Sequence, residues 1–482
     1  MTTKLYEKFQ KILTKKQIST DQTRISKFTT DWTGVYRGNA DIILYPNNPL
    51  EISEIFKMCV KDRINLITVG GNTNLAASCV PEKNEVFLST ERMNNFEFDS
   101  NEGILRSEAG VILQKAQEEI NTHGFETPYN LGSRGSCTIG GNVATNAGGI
   151  NFVKYGSLRN YILGLEVVLP SGDIIDMMKK IQKDNTGLDL KQLFIGTEGI
   201  FGIITKVNML CKHIPSSRST FMLKLKGFQN VLEIMRESKR IFGSHLNAIE
   251  YVDWESYHLY SRYKKDYKMP LGYDDYNINC TKIYDNESRI IKSELKDHFL
   301  LVELTGETDD QLMQLIESFF MINEKKIADS SLAQNDVQRK ELWDIREEQV
   351  LSLVHQYKVL KYDLSFEAKY FEKIAQKTRE KFHGEIEMVS TYGHIGDGNV
   401  HLQVMMPKDI ELDLNLKHKI DDFIYKFAIK HNGSISAEHG VGIIKRDYLE
   451  EQKGQIYINQ MKALKKHFDP YNILNPNKTI YM

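Results

Sequence analysis

Leu131-Gly132-Ser133-Arg134-Gly135-Ser136-Cys137-Thr138-Ile139-Gly140-Gly141-Asn142-Val143-Ala144-Thr145-Asn146-Ala147-Gly148-Gly149 is the stretch on which the reading of this chain turns. Six of these residues are glycine, and most of the others are small or hydrogen-bonding. Glycine permits unusual backbone angles and close approach, so such a segment can turn many N–H groups toward one ligand. The spacing matches neither G-x-G-x-x-G nor G-x-x-x-x-G-K-[ST], which removes the dinucleotide fingerprint and the P-loop. A second loop, Gly70-Gly71-Asn72-Thr73-Asn74, follows an apolar run ending at Val69 and reads as another anion nest. On composition alone, two tight glycine turns without a ligand remain the alternative.

Working outward, 482 residues are enough for two to four domains with sizeable cores. A net charge of −2 gives no overall positive field for nucleic acid or acidic lipid. Cys59, Cys79, Cys137, Cys211 and Cys280 are scattered and form no C-x-x-C pair, so a disulfide framework and a cysteine-bound cluster are both excluded as readings. The expectation is a reduced, intracellular protein that does not span a membrane, since no apolar run of about 18 residues occurs. Leu5, Phe9, Ile12 and Leu13 at helical spacing predict an amphipathic N-terminal helix. Glu7 and the lack of arginine before Arg24 argue against a mitochondrial presequence.

Short apolar runs with glycine, asparagine and proline punctuation over 40–215 predict strands at Ile42–Leu44 and Leu66–Val69, with a helix over Pro49–Asp62 between them. Tyr161–Met178 reads as a hairpin around Pro170-Ser171-Gly172-Asp173. Beyond 216, helices are expected at Gln311–Asn323 and Asp336–Gln356, and strands at His298–Leu304 and Val359–Ser365. Asp253–Asn286 reads as an irregular, tyrosine-rich insertion. Its basic and aromatic run, Arg262 to Lys268, resembles a single-strand nucleic-acid groove, but Asp253, Glu255, Asp266, Asp274 and Asp275 neutralise it.

The glycine loops, followed in order by Gly196-Thr197-Glu198-Gly199-Ile200-Phe201-Gly202-Ile203-Ile204-Thr205, resemble the FAD domain of the vanillyl-alcohol-oxidase/p-cresol-methylhydroxylase flavoprotein superfamily. Asp31-Trp32-Thr33-Gly34, Lys183-Asp184-Asn185-Thr186-Gly187 and Asp189-Leu190-Lys191-Gln192-Leu193-Phe194-Ile195-Gly196 narrow the resemblance to FAD-dependent D-2-hydroxyglutarate dehydrogenases. The implied fold is α+β. A two-subdomain p-cresol-methylhydroxylase-type FAD-binding domain (37–215) would follow an N-terminal helical segment (1–36). A substrate (cap) domain on an antiparallel sheet (216–435) and a C-terminal helical segment packing against the FAD domain (436–482) would complete it. The resemblance places FAD against Gly70, Gly71, Asn72, Thr73, Asn74, Gly132, Ser136, Cys137, Gly140, Gly141, Asn142, Thr145, Asn146, Gly148 and Ile203. With no histidine near 70–74 the flavin is expected to be non-covalent, Cys137 being the residue to watch. Ala76-Ala77-Ser78 stand where relatives usually carry glycines.

Tyr392-Gly393-His394-Ile395-Gly396-Asp397-Gly398-Asn399-Val400-His401 carries the second signal. Asp397-Gly398 is a preferred two-residue hairpin turn, and such a turn would pair His394 with His401 across the ladder, about 5 Å apart at Cβ. Opposed imidazoles at that distance can chelate one metal, although a structural pair is the plainer reading without a third ligand. Ser434 to Gly442 reads as a short strand ending in Glu438-His439. The resemblance implies metal ligation by His394, His401 and Glu438, with His439 as the proton-abstracting base. Two imidazoles, one carboxylate and an open position suit Zn²⁺, with Mn²⁺ or Co²⁺ as alternates.

Arg346 and Lys361 lie in family patterns, Trp343-Asp344-Ile345-Arg346-Glu347 and Lys361-Tyr362-Asp363-Leu364-Ser365, whose two cations hold a substrate carboxylate. Gln403, on the face of His401, and His439 are grouped with them as substrate-binding. Val350 replaces a threonine common in relatives. The implied reaction is oxidation of D-2-hydroxyglutarate to 2-oxoglutarate by hydride transfer to flavin. Its electrons leave through an external acceptor such as an electron-transfer flavoprotein, in mitochondria or else in the cytosol. The same residues also suit a D-lactate or glycolate dehydrogenase, and a non-catalytic flavin- and metal-binding subunit is the alternative of another class. Monomer and homodimer are both compatible with the sequence.

Overall fold

Asn48 opens the helix Pro49–Asp62: its side chain accepts the Glu51 N–H at 3.0 Å, and proline stands at the helix start, where its missing N–H costs nothing. Arg63 ends the helix in the left-handed region at φ 56°. The strands Ile43–Leu44 and Leu66–Val69 flank Val86–Ser89 in parallel, and Ile18–Ser19 adds an antiparallel edge. These elements belong to a computed structural model that describes residues 2–31, 34–265, 267–272 and 296–482. The N-terminal helix Thr2–Phe9 buries Phe9, and Leu13 follows it into the same core with Ile52, Phe56 and Leu66. Its amphipathic face is therefore used for packing.

Contacts gather the chain into two units, Met1–Gly149 with Tyr155–Ile214 and Glu438–Met482, and Ile150–Lys154 with Pro215–Ala437. In the first, a second sheet runs Phe96–Asp99, Ile104–Glu108, Ile203–Leu210, Ile162–Val168, Ile174–Asp176, antiparallel throughout. The expected hairpin is its last pair, Val168 facing Ile174. The C-terminal helix Gln455–Phe468 seals this core with Ile458 and Phe468.

The second unit is built on an antiparallel sheet of order Ile327–Leu332, Ser217–Lys226, Asp297–Gly306, Leu246–Asp253, Met388–Gly393, Asn399–Met406, Lys358–Ser365. Strand alternation sorts its side chains onto two faces. Phe221 on one face meets Phe242 of the helix Phe228–Phe242, which in turn meets Phe319 of Asp309–Asn323. The other face carries Met222, Phe299, Leu301, Val252, Met388, Tyr392 and Met405, clustered with Tyr257, Leu342, Trp343 and Leu353. Among the described residues no helix is long and apolar enough to cross a membrane.

Four local expectations change. The helix over 336–356 divides into Asp336–Glu347 and Gln349–Gln356, because the Gln349 side chain donates at 2.6 Å to the Ile345 carbonyl, the acceptor its own backbone would use. Asp253 ends a strand and caps the helix Trp254–Tyr263, where the expected insertion begins. Tyr257 there stacks on Phe299 with ring centroids 3.7 Å apart, so these tyrosines are core residues. Residues 273–286 of that insertion, and Asp266, lie outside the described residues, as do Cys280, Trp32 and Thr33. In the basic run, Lys264 is paired with Glu348 and Tyr267 packs on the core. Ser434 makes a single bridge to Ser365 rather than opening a strand.

The fourth change concerns the hairpin. His401 pairs with Tyr392, not His394, and the turn widens to a loop over 394–398. The buried pairs Met388–Met405 and Val389–Val404 set this register, and Ile395 is buried within the loop. A two-residue turn would forfeit those pairings. The shift is by two residues, so His401 and Gln403 keep the same face.

Candidate functional site

In the first unit the two glycine loops pack backbone to backbone. A Cβ on Gly71 would lie 2.1 Å from the Ser136 carbonyl oxygen, and one on Gly70 2.5 Å from Thr138 Oγ1. Thr138 caps the short helix Ile139–Thr145, accepting the Gly141 N–H, and Gly140 lets that helix approach Ala109. Gly132 and Ser136 are exposed at the 131–136 turn. The Arg134, Ser136, Cys137, Ile139, Gly140 and Asn142 N–H groups bond to carbonyls of the protein, whereas a glycine loop such as 70–74 can turn its N–H groups toward a pyrophosphate.

Other residues expected at the cofactor also bond within the loop. Asn142 is buried and donates to Tyr129 Oη at 3.1 Å and Cys137 Sγ at 3.5 Å. Burial raises the Cys137 thiol pKa. Asn146, left-handed at φ 49°, accepts from Ser157 Oγ and the Arg159 N–H. Thr145 Oγ1 bonds back to the Gly141 and Asn142 carbonyls, and Ile203 lies in the core. Asn72 takes φ 49° in its loop, next to Thr73, and donates to the Lys27 carbonyl.

The Glu438-His439 segment is tied to both loops. Glu438 Oε1 accepts the Gly149 N–H at 2.6 Å, and a Cβ on Gly148 would collide with that oxygen. Asn74 Nδ2 donates to the His439 carbonyl, while Asn74 Oδ1 accepts the Ala76 N–H. Sequence reasoning missed Glu198, which gathers Ser78, Val441 and Gly442 around one carboxylate.

In the second unit, cross-strand rows place Lys361 beside Gln403 beside Ser390, and Asp363 beside His401 beside Tyr392. Adjacent positions in a row share a face, so these six side chains form one polar patch. Glu250 lies on that face of the next strand, through Val252 beside Tyr392. The Trp343 indole donates to Glu303 at 2.8 Å, which anchors the helix Asp336–Glu347. Three residues on, Arg346 Nε donates at 2.7 Å to Glu250 Oε2. The Arg346 guanidinium lies 4.9 Å from the Tyr392 ring centre.

Glu250 Oε1 is 2.7 Å from His394 Nδ1, and the His394 and His401 rings stand 5.4 Å apart, nearly perpendicular. The wider loop therefore still brings the two imidazoles together. Burial pushes the Glu250 carboxyl up, but His394 and Arg346 together pull it below the usual carboxylate range. Burial alone draws Lys361 down to about 7. Asp363 accepts from Asn399 Nδ2 at 2.9 Å and lies 3.9 Å from His401 Nδ1. The only sequence signal for Glu250 was an acid at an inward position of an apolar strand, legible once the sheet faces are known.

Residues 40–178 match the family described as "FAD binding domain", and residues 214–479 match "FAD linked oxidases, C-terminal domain". Together with the paired glycine loops, these matches define an FAD-dependent oxidoreductase. A mitochondrial D-2-hydroxyglutarate dehydrogenase of Arabidopsis thaliana is 35% identical over 475 residues, covering 98% of this chain and 80% of its own. A D-2-hydroxyglutarate–pyruvate transhydrogenase of Saccharomyces cerevisiae is 32% identical over 488 residues, covering 98% and 93%. The crystal structure of p-cresol methylhydroxylase with substrate bound shares the fold with a TM-score of 0.78 at 16% identity, over 99% of this chain and 96% of that one. The chain belongs to the family of FAD-dependent D-2-hydroxyglutarate dehydrogenases.

Proposed function

We propose that this protein oxidises D-2-hydroxyglutarate to 2-oxoglutarate, with non-covalent FAD and a divalent metal held by His394, His401 and Glu438. The observation that carries this reading is the polar patch of the second unit, where Lys361, Gln403 and His401 share one sheet face and His394 of the loop and helix-borne Arg346 join through Glu250 on the same face. Burial of Cys137 supports a flavin without a thioether tether. The two imidazoles and a carboxylate one residue beyond Ala437 suit zinc first, with manganese or cobalt as alternates.

Arg346 and Lys361 hold the far carboxylate of the substrate, and Gln403 offers an amide beside them. His439 takes the hydroxyl proton as general base. Its main-chain carbonyl accepts from Asn74 Nδ2, a tether that supports a fixed base. FAD, when bound, supplies the acceptor for the Cα hydride, and the metal supplies Lewis acidity that lowers the hydroxyl pKa. An external carrier such as an electron-transfer flavoprotein takes the electrons onward. The mitochondrial names of the relatives support a mitochondrial location.

One observation favours a second reading, a D-lactate dehydrogenase: Glu250 already neutralises Arg346. A substrate panel with an artificial electron acceptor separates the two. D-2-hydroxyglutarate should exceed D-lactate in kcat/KM by at least about tenfold, equivalent to about 1.4 kcal/mol. A preference for D-lactate overturns the assignment, and failure of every 2-hydroxyacid to bleach the flavin anaerobically overturns catalysis.

A further inference from the structure

We infer that Glu250 is a positioning residue that couples metal binding to recognition of the far carboxylate: one oxygen sets the tautomer of His394 and the other aims Arg346. The inference rests on the metal and substrate roles proposed above and adds the residue that joins them.

Glu250 sits mid-strand in Leu246–Asp253 and is 1% exposed. A carboxylate at that depth persists only with partners, and it has two, His394 Nδ1 and Arg346 Nε, each at 2.7 Å. An ionised carboxylate can only accept, so Nδ1 is the nitrogen that carries hydrogen. In the neutral ring Nε2 then bears the lone pair, which is the atom a metal takes. Carboxylate–histidine pairs of this kind orient metal ligands and raise their basicity.

The opposite oxygen acts on geometry alone. Nε is one of five donors in the rigid guanidinium fork, so fixing it while Tyr392 flanks the plane sets the direction of the remaining donors. Asp363 Oδ1 stands 3.9 Å from His401 Nδ1, a longer separation than the 2.7 Å between Glu250 and His394. Fold stability alone does not call for this triad, because buried ion pairs are commonly replaceable by apolar groups without loss. The bridging position of Glu250 therefore points to function.

The test uses the full chain with FAD bound and zinc alone as probe, titrated in competition with a chromophoric chelator. Glu250→Gln can accept from one partner but sets an amide N–H₂ against the other. Its zinc dissociation constant should rise about tenfold or more. Its KM for D-2-hydroxyglutarate should also rise about tenfold, with flavin content unchanged. Glu250→Asp keeps the charge one methylene short of spanning both partners. It is read in the same way should the glutamine variant fail to fold. Pairing Glu250→Gln with Arg346→Met removes the competing guanidinium, so zinc affinity should recover to within about threefold while the KM stays high. His401→Ala separates the two levels of the argument. If it binds zinc as the parent does, the metal reading itself fails. If it loses zinc while Glu250→Gln and Glu250→Asp titrate like the parent, the Glu250 inference fails and the metal reading stands.

Discussion

The Glu198 carboxylate accepts the Val441 backbone N–H at 2.7 Å. Its second oxygen takes the Gly442 N–H at 2.9 Å and the Ser78 hydroxyl at 2.7 Å. A Cβ on Gly440 would lie 2.6 Å from this carboxylate. The loop that follows His439 is thus threaded onto one acid, itself held at φ 55°.

Glu198→Gln should put an N–H₂ against one of those backbone donors and leave it unpaired. A lost partner of this kind costs about 1–3 kcal/mol. Thermal melting should show that loss, and kcat should fall while flavin absorbance per chain stays constant. An unchanged melt and an unchanged kcat would remove the clamp from the account.

Ala77 adopts φ 53°, an unfavourable angle for a residue with a Cβ. The left-handed region costs a non-glycine residue about 1–2 kcal/mol, and glycine returns about 0.5–1 kcal/mol of that as unfolded-state entropy. Ala77→Gly should therefore be neutral or stabilising by up to about 1 kcal/mol, and Ala77→Val clearly destabilising. Denaturant midpoints decide it, and a well-tolerated valine would contradict the backbone reading.

Lys361, drawn by burial from 10.5 to about 7, should make dicarboxylate binding pH-dependent. The ammonium that anchors the far carboxylate is present below about pH 7 and is lost above it, so the KM for D-2-hydroxyglutarate should rise through neutral pH. D-Lactate has no far carboxylate, and its KM should stay flat. Lys361→Arg, charged at all working pH, should flatten the first profile as well. Stability has the opposite sign: between about 7 and 10.5 the unfolded chain binds the extra proton, so this group makes folding more favourable as pH rises. Parallel KM profiles for the two substrates would separate Lys361 from the distal carboxylate.

Chelation should abolish turnover and leave the flavin spectrum in place, because flavin is assigned to the glycine loops and metal to the histidine pair. His439→Ala should keep zinc yet lose about a hundredfold or more in kcat, the usual scale for a general base. Full turnover in a rigorously metal-free sample would refute the metal role, and an unimpaired His439→Ala would refute the base.

Local rules made much of this protein legible. Asn48-Pro49 announced a helix start, and Pro170-Ser171-Gly172-Asp173 announced a turn. Six glycines between 131 and 149 announced backbone that must approach something closely. Each signal depends on residues within a few positions of one another, so no knowledge of the rest of the chain is needed. The ordered motifs also placed the chain in its family.

Tertiary structure decided what depends on partners far along the chain. Asp397-Gly398 favours a two-residue turn, but buried pairs farther down the ladder hold His401 opposite Tyr392, and the loop widens to bury Ile395. Asn142 Nδ2 reaches Tyr129 and Cys137, and Asn146 Oδ1 reaches Ser157 and the Arg159 N–H, partners that lie up to 13 residues away and that no local motif announces. Glu250 lies 96 residues from Arg346 and 144 from His394. No spacing rule reaches that far. Motifs determine which side chains are available, because chemistry and turn geometry are local. Which of them share a carboxylate is settled by sheet register, because burial rewards only the alignment that satisfies the whole face at once.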